Sequence, residues 1–257
     1  MRSVASVSFG KDSLAMLLLL LERNTRLDEV IFYNSEMEFQ AIYDIRDRIK
    51  PVLEQRGIRF TEVRLGVPFL YGMLERPVNS KKNGFHLGYG WCGGPCRWGT
   101  TLKIDALDVI ALDAEVHYVG IAADETARLE KLVPPKCSPL AQAGMAEADC
   151  LAYCYERGYF WEENGVRLYD ILDRVSCWCC KNKNRKELKA IYQYLPQYSE
   201  RLKELQARIS MPMKPYSRKG VPYGNVFDME KVFEQEIQAE KDGRAPKEKR
   251  RRHEQSR

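Results

Sequence analysis

The sequence predicts an α/β fold, with a doubly wound, mostly parallel sheet and a helical C-terminal portion. Two observations lead to this prediction. Short apolar segments alternate with helical ones up to about residue 130, and only helical patterns follow. The first apolar segment also ends in a Gly-containing turn that leads directly into a helix. Such alternation indicates parallel strands joined by helical crossovers.

The predicted elements follow one another along the chain. Strands are expected over 4–8, 29–34, 58–65 and 115–121, with helices over 14–23, 38–55 and 102–112. Further helices are expected over 145–158, 185–194, 196–209 and 227–241, and a Gly-rich loop lies between the third strand and Cys92. We therefore expect an α/β core over 1–130, a helical region packed on it over 131–240, and a tail over 241–257.

Hydrophobicity and cysteine content indicate the cellular compartment in which the protein is expected. The longest apolar run, Leu14–Leu21, is less than half of the roughly 20 residues that a membrane-spanning helix needs. No secretion signal is recognisable, so a cytoplasmic protein without membrane contact is expected. In a reducing compartment the eight cysteines are expected to be buried residues, nucleophiles or metal ligands rather than disulfides.

The formal net charge of +5 is concentrated at one end of the chain. Residues 241–257 contain eight Lys or Arg and three Asp or Glu, whereas the preceding 240 residues are balanced. A basic run of this kind is typical of a solvated, disordered end, and it could also neutralise the phosphates of a nucleic acid.

A candidate anion site lies between the first strand and the first helix, in the segment Ser8-Phe9-Gly10-Lys11-Asp12-Ser13. The start of a helix offers unpaired N–H groups, and the helix dipole attracts negative charge. Gly10 allows close backbone approach, and Lys11 adds a positive charge. The segment is not a Walker A motif. On spacing alone, an ordinary turn before a Ser-capped helix explains it equally well.

Further polar groups follow the other predicted strands. The segment 34–38 comes after the second strand, and Asp124 and Glu125 come after the fourth. Ligands of doubly wound sheets bind beyond the carboxyl ends of the strands, so these groups are expected near the candidate anion site.

The cysteines form two tight clusters, one containing Cys92 and Cys96, the other Cys177, Cys179 and Cys180. Four thiolates from such clusters suit Zn²⁺ or a 4Fe–4S cluster. Free cysteines acting as small hydrophobic residues are the alternative. Cys150 and Cys154 are four residues apart, which is typical of one buried helix face.

Three segments together resemble a known family. Ser8–Ser13 is similar to the PP-loop, usually Ser-Gly-Gly-Lys-Asp-Ser, of the Rossmann-like adenine nucleotide alpha-hydrolase superfamily. Residues 34–39 and 120–126 resemble two further motifs of the phosphoadenosine phosphosulfate (PAPS) reductase family. The resemblance extends over residues 4–205. Phe9 replaces the first glycine, which implies some loss of backbone freedom.

The resemblance implies roles for individual residues. It implies nucleotide binding by Ser8, Phe9, Gly10, Lys11, Asp12, Ser13, Asn34, Gly120 and Arg128. It implies catalytic roles for Lys11, Asp12, Glu38, Asp124 and Glu125, with Mg²⁺ held by Asp12 or Glu38. It implies a 4Fe–4S cluster, with Zn²⁺ as the alternative, on Cys92, Cys96, Cys177 and Cys180, which leaves Cys179 spare. Iron–sulfur reductases carry adjacent cysteines where this chain has Cys92 and Cys96 four positions apart.

Three functions are consistent with this pattern. The first is ATP pyrophosphatase-type activation for sulfur transfer to a nucleic acid or small acceptor, with a donor protein such as a cysteine desulfurase. The second is reduction of PAPS or adenosine phosphosulfate (APS). The family's Glu-Cys-Gly-x-His segment is not found after Cys180, and Ala122 stands where an Arg is expected. The third is a non-catalytic nucleotide-binding subunit of a modification complex. The first function is favoured.

Overall fold

The computed structural model describes residues 2–81, 84–92, 96–214 and 224–243. Its strands are β1 (Ser3–Ser6), β2 (Glu29–Tyr33), β3 (Arg59–Val63), β4 (Pro77–Ser80), β5 (Gly84–Leu87), β6 (Val116–Val119), β7 (Lys136–Cys137), β8 (Glu162–Glu163) and β9 (Val166–Arg167). Its helices are α1 (Lys11–Glu22), α2 (Gln40–Gln55), α3 (Phe69–Leu74), α4 (Leu102–Ile110), α5 (Thr126–Leu129), α6 (Pro139–Gln142), α7 (Glu147–Glu156), α8 (Leu168–Ile171), α9 (Arg185–Tyr194), α10 (Pro196–Arg208) and α11 (Val226–Lys241). A π-helical turn, Arg97–Thr101, precedes α4.

The central sheet contains five strands in the order β3-β2-β1-β6-β7, and all four pairings are parallel. The chain first adds strands on one side of β1 and then crosses to the other side. The change of direction between β1 and β6 is the position at which doubly wound sheets bind ligands. The predicted α/β fold with a mostly parallel sheet is confirmed.

Helices cover both faces of this sheet. The larger core contains residues of α1, α2 and the helices after residue 130, among them Leu14, Ile45 and Leu188. A smaller core on the other face joins Val4 and Ile31 to Leu107 of α4. Burial on both faces explains the continuous apolar character of β2, whose five residues are all buried.

Helix α1 is buried nearly all round, which explains its long apolar run. Every residue from Ser13 to Leu21 is buried, because α7 packs against the side of α1 that the sheet leaves free. Cys150 and Cys154 of α7 lie in this interface with no exposed surface. The prediction of a buried helix, rather than a membrane span, is confirmed.

Three parts of the sheet structure were not expected from the sequence. The hairpin β8–β9 lies in the region after residue 130, where only helices were expected, and its strands are two residues long. β7 is only two residues long, too short to produce a periodic pattern. The segment expected to be a Gly-rich loop contains the hairpin β4–β5. Gly88 ends this hairpin at φ +68°, where a Cβ atom would lie 2.2 Å from the Met73 carbonyl oxygen. This glycine therefore marks a close backbone approach rather than a flexible loop.

Phe9 adopts the left-handed conformation, φ +58°, that its glycine counterpart in the PP-loop adopts easily. Such a conformation costs a non-glycine residue roughly 1–2 kcal/mol. The Phe9 ring is fully buried and stacks edge-on against Phe32 at 5.2 Å. Its carbonyl oxygen accepts a 2.7 Å hydrogen bond from Trp161 Nε1. Burial of a phenylalanine contributes about 1.5–3 kcal/mol, so the loop keeps the required shape without a second glycine.

No helix in the described ranges combines the length and hydropathy needed to cross a bilayer. The predictions for the basic tail concern mainly residues 244–257, which lie outside the described ranges. The regional boundaries at residues 130 and 240 remain predictions.

Candidate functional site

The loop after β1 brings the side chains of Ser8 and Ser13 together at the start of α1. Their hydroxyl oxygens are 3.0 Å apart, and Ser13 Oγ also accepts the Ser8 backbone N–H at 3.1 Å. Gly10 is the residue before the helix and provides no side-chain cap, whereas the Tyr169 hydroxyl accepts the Lys11 N–H at 2.9 Å. The loop therefore has two adjacent hydroxyls at the positive end of a buried helix.

Gly10 has an ordinary φ of −77°. A Cβ atom there would lie 3.5 Å from the Tyr169 hydroxyl, an ordinary contact distance. The surrounding protein therefore does not require a glycine at this position. Because Gly10 has no side chain, a ligand has room to approach the backbone here.

Lys11 is bound by two carboxylates. Its Nζ donates to Asp12 Oδ1 at 2.8 Å and to Glu147 Oε2 at 2.6 Å. Burial tends to lower the pKa of Lys11, but these two carboxylates outweigh burial and raise it. The ammonium group therefore stays charged, held between Asp12 and Glu147.

An acidic group surrounds Lys11. Burial raises the pKa of Asp12, Lys11 opposes the shift, and the charges of Glu147 and Glu125 add to it. Asp124 Oδ1 accepts the Glu147 backbone N–H at 3.1 Å, which ties the start of α7 to the end of β6. Of the predicted acidic residues, the structure thus brings Asp12, Asp124 and Glu125 together. Glu147 was missed, because only the packing of α7 on α1 reveals its position.

Gly120 lies where β6 ends against the first turn of α1. A Cβ atom there would lie 2.7 Å from Ser13 Cα and 2.8 Å from Ser13 N, closer than real contacts allow. Gly120 is thus needed for this backbone approach. Arg128 lies farther out, where its Nη1 pairs with Glu125 Oε1 at 2.5 Å and its side chain is 59% exposed.

We expect Gly120→Ala to lower the free energy of unfolding by about 1–3 kcal/mol, as overpacking of a closed contact does. The matched control is Gly66→Ala, since no heavy atom lies within 4 Å of a Cβ at that position. Denaturant unfolding of both variants would measure the difference. Equal stabilities of the two variants would contradict this role of Gly120.

The segment after β2 is held by its own side chains. Asn34 Nδ2 donates to Glu62 at 2.9 Å, while Asn34 Oδ1 accepts from the Glu36 N–H and the Tyr43 hydroxyl. These bonds fix Glu36 at φ +64°. Asn34 therefore shapes the segment, and its predicted contact with a nucleotide remains a prediction.

Glu38 faces the cysteines rather than Lys11. Its Oε1 accepts from Ser35 Oγ at 3.0 Å and lies 3.8 Å from Cys177 Sγ. Trp178 N donates to the Met37 carbonyl at 3.0 Å, so the two loops are joined through their backbones as well. The structure therefore separates Glu38 from the acidic group that contains Asp12.

The four predicted ligands, Cys92, Cys96, Cys177 and Cys180, line one cavity of about 440 Å³, which we call the cysteine cavity. Cys179 does not line it, because its side chain is fully buried with Sγ 3.8 Å from Cys92 Sγ. The sulfur atoms thus come from the two sequence clusters, which the fold brings together.

The thiols of Cys92 and Cys177 resist ionisation when no metal is bound. Burial raises the pKa of Cys177 well above its usual range, and the charges of Glu38 and Cys92 add to the shift. The pKa of Cys92 is also raised, first by its hydrogen bond with Cys179. A metal ion would have to displace these protons, which makes its binding depend on pH.

The donor atoms suit a metal centre, although the side chains are not arranged around one point. Within the described ranges, no group of three or more His, Cys, Asp or Glu side chains converges as metal ligands do. Residues 93–95, which connect Cys92 to Cys96, lie outside those ranges. Four thiols on one cavity match the preference of iron–sulfur clusters and zinc for sulfur. The residues fit such a group by their chemistry.

The cysteine cavity and the loop Ser8–Ser13 are neighbours. A second pocket, of about 270 Å³, contains Lys11, Glu147 and Tyr169 in its lining. Asp173 lines both this pocket and the cysteine cavity. The positive charge of the loop and the four sulfur atoms are therefore found on two adjoining spaces. Tyr169 and Asp173 were also missed, because no motif marks them.

A family model described as the phosphoadenosine phosphosulfate reductase domain matches residues 2–67. The match confirms the predicted family resemblance over this segment, which contains the loop Ser8–Ser13. No curated protein matches the chain. Among solved structures, the chain is similar to the U34-tRNA thiolase NcsA from Methanococcus maripaludis with its 4Fe–4S cluster. The identity is 16% and the TM-score 0.42, over 77% of this chain and 72% of that chain.

Proposed function

We propose that this chain is a PP-loop enzyme of the PAPS reductase type that activates an acceptor with ATP for sulfur transfer. The observation that carries the proposal is the pair of adjoining spaces that share Asp173, one containing Lys11 and the other four cysteine sulfurs. An anion-binding loop next to a group of thiols suits a reaction that handles both phosphate and sulfur.

In the proposed first step, an oxygen of the acceptor attacks the α-phosphorus of ATP, and pyrophosphate leaves with the bond electrons. Lys11 and the hydroxyls of Ser8 and Ser13 stabilise the negative charge that develops on the leaving group. Phe9 and Gly10 shape the loop, while Gly120, Asn34 and Arg128 position the nucleotide. Asp12, Asp124 and Glu125 are the carboxylates available for Mg²⁺ beside Lys11. Glu38 acts in the cysteine cavity, next to Cys177.

In the proposed second step, a sulfur nucleophile replaces the activated oxygen and releases AMP. Cys92, Cys96, Cys177 and Cys180 would hold a 4Fe–4S cluster, with Zn²⁺ as the alternative. When bound, such a cluster supplies metal-held sulfur close to the acceptor. A nucleic-acid acceptor and a cysteine desulfurase as sulfur donor remain part of the proposal, and the basic residues 244–257 are candidates for contact with phosphates.

Sulfonucleotide reduction is the second candidate, since the matching family model bears that name. A reductase needs a nucleophilic cysteine that substrate can reach. Four cysteines lie outside the predicted ligand set, and three of them, Cys150, Cys154 and Cys179, are fully buried. The fourth, Cys137, is partly exposed on β7 and does not line the cysteine cavity. The burial of Cys179 against Cys92, which leaves the second cysteine cluster without a reachable spare thiol, favours the ATP reaction over reduction.

One experiment tests the proposal against both alternatives. Anaerobically purified full chain is incubated with ATP and Mg²⁺, with and without total RNA or DNA, and separately with PAPS or APS and reduced thioredoxin. We expect pyrophosphate and AMP from ATP and no sulfite from the phosphosulfates. Sulfite release would instead establish a reductase, and nucleotide binding without turnover would indicate a non-catalytic subunit.

A further inference from the structure

Tyr33 ends β2 at the edge of the sheet where the candidate site lies. Its side chain is 3% exposed and packs beside Ile31 and Leu107 in the smaller core. Its phenol oxygen is buried and has no hydrogen-bond partner within the described chain. Buried hydroxyls are nearly always hydrogen-bonded in folded proteins, so a buried one without a partner needs an explanation.

The surroundings of Tyr33 indicate what the missing partner is. Tyr33 lines the cysteine cavity together with Cys92, Cys96, Cys177 and Cys180. Burial raises the pKa of Tyr33 to about 12, and the nearby sulfurs of Cys177 and Cys96 contribute to the shift. The phenol is therefore protonated at physiological pH and available as a donor. Thiolates and cluster sulfides accept hydrogen bonds better than neutral thiols do, because they carry negative charge.

We infer that Tyr33 donates a hydrogen bond to a sulfur atom of the metal centre in the cysteine cavity. This inference rests on the proposed 4Fe–4S cluster. Tyr33 is then a positioning residue that tunes the cluster, since a hydrogen bond to sulfur stabilises the more negative, reduced state. The hydroxyl, which has no partner among the described residues, is satisfied once the centre is bound.

The test compares Tyr33→Phe with Tyr155→Phe in the full chain, loaded anaerobically with iron and sulfide. Tyr155 is a matched control, because its hydroxyl is also buried without a partner in the described chain. Its ring packs against Phe160 and Trp161 rather than lining the cysteine cavity. Iron and sulfide are measured per chain, and the cluster is titrated electrochemically.

We expect both variants to keep their iron, while Tyr33→Phe makes the cluster about tenfold harder to reduce. That change equals about 59 mV towards negative potential for a one-electron couple. The Tyr155→Phe potential should match the wild type. Pulsed electron paramagnetic resonance of the reduced protein in D₂O should show an exchangeable deuteron near the cluster that Tyr33→Phe loses.

An intact cluster with unchanged potential and unchanged deuteron coupling in Tyr33→Phe overturns the inference and leaves the proposed function standing. If Tyr33→Phe cannot be loaded, the wild-type spectrum decides, since a cluster without a coupled deuteron also overturns it. A wild-type chain that takes up no iron overturns the proposed cluster, and the inference with it.

Discussion

Lys11→Ala is expected to lower kcat/KM for ATP by about 100- to 1,000-fold, the loss typical of removing one group that stabilises developing charge. Pyrophosphate release at subsaturating ATP measures it. The effect is large because the Nζ atom of Lys11 is the cation of the proposed phosphate loop, Ser8–Ser13. Asp12 and Glu147 hold this atom at the N-terminus of the buried helix α1.

Two controls separate lost chemistry from lost folding. Lys50→Ala removes a lysine of another helix, α2, whose Nζ lies 3.6 Å from Asp47 on the surface, and it should leave turnover unchanged. Lys11→Arg keeps the charge and should recover part of the activity. Thermal unfolding shows whether Lys11→Ala is folded. A folded Lys11→Ala chain with wild-type binding and turnover would refute the assignment of the phosphate loop.

Four of the five strands of the central sheet could be predicted from sequence, because they lie in short segments rich in β-branched and aromatic residues, whereas the two-residue β7 could not. The segment Glu29–Tyr33, for example, is buried throughout and is followed by polar residues. Helix α9 was predicted with both ends correct, and the structure shows a capping box of Asn184 and Glu187 at its start. Local patterns of this kind depend on neighbours within a few residues, so one sequence is enough to reveal them.

The site could be predicted only in part, because its missing members depend on tertiary packing. Glu147 reaches Lys11 only through the contact of α7 with α1, and Tyr169 reaches the Lys11 N–H across 158 positions of sequence. Phe9 illustrates the opposite case. A glycine position in the related motif indicated an unusual backbone conformation. Only the structure shows that burial of the Phe9 ring offsets the cost of its left-handed conformation.

Cys177→Ser is expected to lower bound iron by at least about tenfold, because loss of a ligand should cost no less than loss of a partner that only orients one. Iron per chain and the visible absorbance of thiolate-bound iron are measured after anaerobic loading. Cys137→Ser is the matched control. Like Cys177, Cys137 is a residue of intermediate exposure, but it lies on β7 and does not line the cysteine cavity.

Cys179→Ser makes the test sharper. The Cys179 sulfur is 3.8 Å from that of Cys92, so Cys179 is close enough to take the place of Cys92 as a ligand. If Cys179 is spare, the variant keeps its iron, as Cys137→Ser does. If Cys179→Ser loses iron as fully as Cys177→Ser, Cys179 is itself a ligand and the predicted set of four is wrong. Zinc in place of iron in the wild-type chain would leave the ligand test valid, while it would remove the redox role that we propose for Tyr33.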